Sequence, residues 1–204
     1  MKRFLSDALE EYEERDFKDL DLSHRSMTSN RFYECDFHNC NLSEANLKDC
    51  RFVECRFSVC NLSLVKFRED CSFVDTVFES SKMVGIDWTA VSWPAVKLAS
   101  PIQFRECDIS MSLFTGLSLK EIAITKCRAR DVDFEEADLT QADFAGTDLL
   151  KSRFIHTNLT EANFTHADSY SIDITVNRTK NARFSLPEAI SLLYLLDIDI
   201  VEEF

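Results

Sequence analysis

Eight cysteines, four histidines and a surplus of carboxylates are the residues of this chain that could do chemistry. Thiols and imidazoles suggest metal or redox work, and paired carboxylates suggest acid–base catalysis. The spacing argues against all three. Cys35, Cys40, Cys50, Cys55, Cys60, Cys71, Cys107 and Cys127 include no Cys-x-x-Cys pair, and no histidine stands next to one of them. Each lies two residues before a position that is nearly always large and apolar. That placement reads as core lining by a small hydrophobe, with metal binding and disulfides as the competing readings. His24, His38, His156 and His166 fall one or two residues after such a position and therefore point outward. His156 and His166 stand ten residues apart, two repeats of that pattern. No G-x-G-x-x-G, P-loop, G-x-S-x-G or H-E-x-x-H motif occurs. The expectation is no enzyme, no metal and no cofactor.

The apolar positions form one register. Centres recur every fifth residue from Phe17 through Leu22, Met27, Phe32, Phe37 and so on to Phe67. One extra residue near Glu69–Ser72 moves the frame to Phe73, Phe78, Met83, Trp88, Trp93 and Leu98. A second, near Ala99–Gln103, moves it to Phe104, and the frame then holds to Phe164. Thirty centres result, and 14 of the 17 Phe are among them. A period of five is neither 3.6 nor 2, so the chain must turn at every repeat. The residue two before a centre is small or β-branched almost throughout, as in Ala45, Val65, Ala137 and Thr147, and the remaining positions are polar. One large and one small inward residue per repeat fill a narrow interior. Between Met83 and Phe104 the small position holds Ile86, Val91, Val96 and Ile102. A wider coil and a partner-contacting bulge both fit that stretch.

Ala137-Asp138-Leu139-Thr140-Gln141, Ala142-Asp143-Phe144 and Ala162-Asn163-Phe164 resemble the A(D/N)LXX motif of the pentapeptide-repeat family. The resemblance implies an all-β solenoid, a right-handed quadrilateral β-helix of pentapeptide repeats with four pentads to a coil. Thirty pentads would make 7.5 coils, or about 36 Å of rod at strand spacing. The expected layout is a cap over residues 1–14, the β-helix over 15–184, and a short C-terminal helix and tail over 185–204. Ser185-Leu186-Pro187-Glu188 reads as a capping box opening a helix at Leu186–Leu196. That helix is apolar on several sides, so one side covers the last coil and another is left over. Ile190, Leu193, Leu196, Ile198 and Ile200 are the expected homodimer contacts.

The net charge of −13 sets the function classes. So acidic a chain repels nucleic acid and anionic membranes and favours basic surfaces. Met1–Asp7 turns acidic before any apolar stretch develops, and no run reaches the roughly 20 apolar residues of a membrane span, so a cytoplasmic location is expected. Asp131, Asp133, Glu135, Glu136, Asp138, Asp143 and Asp148 form a run without a base and are the expected partner contact. The plain alternative is that an Asp before a centre is repeat consensus. In size, acidity and C-terminal segment the chain resembles the quinolone-resistance and topoisomerase-poison-immunity branch of the family. That resemblance implies a dimeric DNA mimic that binds DNA gyrase or topoisomerase IV. A non-enzymatic scaffold with an unrelated partner is the rival. One departure counts against loop-dependent protection: plasmid-type members carry multi-residue loops, whereas only single-residue insertions are read here.

Overall fold

The computed structural model describes residues 10–93, 102–196, 198 and 201. It is a β-solenoid of about eight coils with one short helix. Parallel pairing stacks each coil on the next. Phe17 pairs with Phe37, and Phe37 with Phe57, so one coil is four pentads long. Four faces carry one pentad each, named here by their first-coil centres Phe17, Leu22, Met27 and Phe32. The longest sheet stacks six strands on the Phe17 face, from Asp16–Lys18 to Ala123–Thr125.

The period-five pattern works because each position answers one backbone need. The centre points inward, where rings of successive coils stack: Phe37 lies 4.7 Å from Phe17 and 4.5 Å from Phe57. The residue two beyond most centres turns the corner in the left-handed region, as at Glu34 (φ 50°) and Glu54 (φ 54°). Its N–H then donates to the coil above, as from Glu34 to the Val53 carbonyl at 2.9 Å. The Asp or Asn before the centre closes a local turn: Asp138 Oδ1 accepts from the Thr140 amide at 3.2 Å and its hydroxyl at 2.6 Å.

The cysteines solve the remaining problem. Where a corner lacks its own hydrogen bond, a buried N–H needs an acceptor. Cys60 Sγ supplies one, accepting from the Cys40 amide at 3.4 Å while its S–H donates to the Phe37 carbonyl at 3.4 Å. Cys127 and Thr147 serve the amides of Cys107 and Cys127 in the same way. All eight thiols are buried and free, as the spacing predicts. Burial pushes the Cys55 thiol up to about 12.

Three expectations change. Tyr12 is itself a centre, stacked on Phe32 at 5.1 Å, and Glu10–Glu13 pairs with Asn30–Tyr33. The solenoid therefore reaches back into the segment read as a cap. The first insertion is one residue, with Phe73 over Phe52. The second is larger. Ser92 donates to the Cys71 carbonyl, which places Trp93 over Phe73, while Phe104 pairs directly with Phe78. Trp93 and Phe104 are thus centres on adjacent faces, eleven positions apart where five suffice. Val96 and Leu98 lie outside the described residues. Only single-residue insertions were expected; the spacing between these two centres is instead six residues longer than the repeat. Trp88, Ile86, Val91 and Ile102 are buried, so the neighbouring coil does take larger side chains.

The third change is at the C-terminus. The helix is a 3-10 segment, Glu188–Leu195, without a side-chain cap. Ser185 and Glu188 instead serve the open edge of the last coil: Ser185 Oγ accepts from the His166 amide and Glu188 Oε1 from the Ser169 amide, both at 2.8 Å. Satisfying that edge outweighs the capping box, because an unpaired strand edge leaves several donors exposed.

A candidate interaction surface

Among the described residues no group of three or more His, Cys, Asp or Glu is placed to hold a metal. The four histidines are exposed. No described helix is long and apolar enough to cross a membrane. The remaining candidates are surfaces.

The seven acids from Asp131 to Asp148 do not form one surface. A run of that length nearly completes a coil, so these side chains are spread around its girth. Asp131 and Asp148 belong to the Leu22 face, Asp133, Glu135 and Glu136 to the Met27 face, Asp138 to the Phe32 face and Asp143 to the Phe17 face. Four of them make the local turn bond: Asp133 to the Glu135 amide, Asp138 to Thr140, Asp143 to the Ala145 amide and Asp148 to the Leu150 amide. Cations cover several of the same groups. Arg153 pairs with Asp133 and Glu135, Lys120 with Asp138, and Arg130 with Asp148. Burial opposes ionisation of Asp138, but its bonds to Thr140 and the nearby Lys120 outweigh it and hold the carboxyl below the usual range. For these four aspartates the consensus reading is the physical one. Asp131 and Glu136 are exposed corner residues.

A second set of acids, which the linear run hides, does share one edge. Glu14, Glu34, Glu54 and Asp75 each stand two residues after a centre of the Phe32 face, where the chain turns toward the Phe17 face. Amide bonds from Glu14 to Tyr33, Glu34 to Val53 and Glu54 to Val74 fix them one above another. All four are exposed and make no ion pair among the described residues. Successive members are about 4.8 Å apart along the rod. Exposed Asp16 and Asp36, paired in register on the adjoining strands, flank the column. Past the insertion, Glu121, Gln141 and Glu161 occupy the same corner. The corner between Trp93 and Phe104 is the same one. The signal in the sequence was a recurrence of acids once per coil rather than a local run.

The predicted dimer contacts lie at the other end. Ile190 (39% exposed), Leu193 (40%) and Ile198 (54%) are open to solvent, and Leu196 is half-buried. Ile200 lies outside the described residues. Leu192 packs against the core, and Tyr194 and Leu195 add to the exposed apolar side.

Comparison with known proteins agrees with this architecture. The family profile described as "Pentapeptide repeat region" matches residues 30–98 and 86–164. No curated protein matches the chain. Among solved structures, a trypsin-treated variant of QnrB1, a plasmid-mediated fluoroquinolone resistance protein, is 19% identical with a TM-score of 0.56, covering 98% of this chain and 94% of that one. HetL, a pentapeptide repeat protein involved in heterocyst differentiation regulation from the cyanobacterium Nostoc sp. strain PCC 7120, is 14% identical with a TM-score of 0.57, covering 84% of each chain. At these identities the likeness is one of fold. With a matching profile over most of its length and a five-residue register stacked coil on coil, the chain belongs to the pentapeptide-repeat family.

Proposed function

We propose that this protein is a non-catalytic interaction rod that acts in the cytoplasm and presents a DNA-like line of charge to a DNA-binding enzyme. A type II topoisomerase, gyrase or topoisomerase IV, is the leading partner, modulated by the rod or protected by it from inhibitors such as quinolones or peptide toxins. The acidic column of Glu14, Glu34, Glu54 and Asp75 carries this reading. Backbone need does not explain its composition. Left-handed corners favour Gly, Asn and Asp, yet nine of the non-glycine residues held there are glutamates. Charge density points the same way. About eight coils at strand spacing give a rod of about 38 Å. The net −13 of the full chain over that length is roughly one charge per 3 Å, against one per 1.7 Å for duplex DNA. The exposed Ile190, Leu193 and Ile198 support pairing of two rods through their C-termini, which would double the length of the charged line.

The test is purified protein added to gyrase, scored for DNA supercoiling and for drug-stabilised cleavage. Wild type should change one or both and compete with DNA, whereas Glu34→Gln/Glu54→Gln should do so more weakly. No effect on either readout and no competition would remove the topoisomerase and leave a scaffold for another partner. A monomer by light scattering at micromolar concentration would remove the dimer.

A further inference from the structure

In an acidic chain, one sheet face has the opposite sign. The first three strands of the Met27 face, Ser26–Thr28, Asn46–Lys48 and Lys66–Arg68, turn Met27, Leu47 and Phe67 inward. Their outer surface holds Ser26, Thr28, Asn46, Lys48, Lys66 and Arg68: three cations, three neutral hydrogen-bonding groups and no acid. Four acids stand at its borders, each with a partner: Asp49 beside Arg31 at 2.7 Å, Glu69 beside Lys48 at 2.8 Å, Glu44 beside His24 at 3.5 Å, and Asp70, which accepts from the Ser92 hydroxyl at 3.4 Å. Asp87, the first acid above the sheet, accepts from the amide and hydroxyl of Thr89. Lys66, Arg68 and Arg51 make no ion pair among the described residues and are exposed. The register also sets like charges side by side, with Lys48 opposite Arg68 on this face and, around the corner on the Phe32 face, Arg31 opposite Arg51. Such pairs disfavour the folded sheet, and an anion lying across them would relieve the repulsion.

We propose that this face docks an extended acidic segment of a protein partner. The geometry selects the occupant. Lys66 and Arg68 are two residues apart on one strand, about 6.6 Å. An extended peptide with acids at alternate positions repeats its carboxylates at the same interval, with both on one side. Ser26, Thr28 and Asn46 add hydrogen-bonding groups for its backbone. Duplex DNA fits less well. Its charge would extend past the patch, to within about 8 Å of the acids on adjoining faces, where screening is incomplete. A short peptide strand lies on the sheet alone. The Met27 face is opposite the Phe17 face, which the acidic column borders, so the site and the column stand on different sides of the rod. The site is therefore independent of the topoisomerase reading and survives or fails separately.

The probes are a fluorescent octapeptide of alternating Glu and Ser, its block isomer with all Glu first, and a short DNA duplex. Each is titrated by anisotropy at low and at physiological salt. The alternating peptide should bind wild type best. Lys66→Glu/Arg68→Glu should weaken it at least about tenfold, as expected from losing two charge contacts. Lys151→Glu/Lys180→Glu changes net charge equally on other faces and should leave binding near wild type. Matched thermal melts establish that the variants are folded; if the first is not, Lys66→Gln/Arg68→Gln replaces it. No peptide binding, equal loss in both charge-reversal variants, indifference to the order of Glu and Ser, or preference for the duplex would each overturn the proposal.

Discussion

The acidic column should destabilise the protein that carries it. Glu34 lies between Glu14 and Glu54, and Glu54 between Glu34 and Asp75, so Glu34→Gln/Glu54→Gln removes three stacked like-charge contacts. Two unit charges about 4.8 Å apart in water repel by about 0.9 kcal/mol, and screening at physiological salt leaves about 0.5 kcal/mol. Three contacts sum to at most about 1.5 kcal/mol, less where the side chains splay. Glutamine keeps the size and the left-handed corner, so backbone strain is unchanged and the difference isolates charge. Urea unfolding should find the variant more stable by about 1 kcal/mol at physiological salt, with the gain fading toward molar salt. The same variant should bind its partner less well. A variant no more stable than wild type, or a gain that ignores salt, would refute the stacked-charge reasoning. Stability gained together with binding lost is the behaviour of residues retained for interaction.

Three further outcomes follow from the coil architecture. Phe37→Ala removes a ring packed between Phe17 and Phe57 in a filled core and should cost about 3–5 kcal/mol in denaturant unfolding; a loss under about 1 kcal/mol would mean that the rod collapses onto the gap. Cys60→Ala strands the buried Cys40 amide and should cost about 1–3 kcal/mol, whereas Cys60→Ser keeps an acceptor and should cost less; equal costs would refute the bridging role. Asp138→Asn should be tolerated and Asp138→Ala should not, because either Asp or Asn accepts the Thr140 amide. The folded Asp138 carboxyl is held below its ordinary range, so its contribution is present above about pH 4 and is lost as pH falls through and below that value. A pH–stability profile of wild type against Asp138→Asn reads this directly, and identical acid limbs would contradict it.

Much of the fold was legible because a five-residue period has few physical solutions. The buried cysteines and the outward histidines both came from counting in pentads. Where counting failed, it failed for local reasons. Leu98 is apolar at the expected interval after Trp93, so the frame appeared continuous there, although the coils pair Phe104 with Phe78. Tyr12 was missed as a centre because acids surround it. Ser185 and Glu188 have the spacing of a helix cap, but the adjacent open edge claims both side chains.

The charge pattern divides the two levels most clearly. Sequence alone determined that the chain is a repeat with an apolar interior and an acidic exterior, since burial depends on residue type and period. Which acids act together was decided only by coiling. Neighbours in sequence, Asp131 to Asp148, are carried around the girth and largely tied into turns and ion pairs. Acids a full coil apart, Glu14, Glu34, Glu54 and Asp75, are brought into one column. The reason is geometric: Coulomb interaction depends on distance through space, and in a solenoid the nearest side chain beyond a residue's own strand is one coil away.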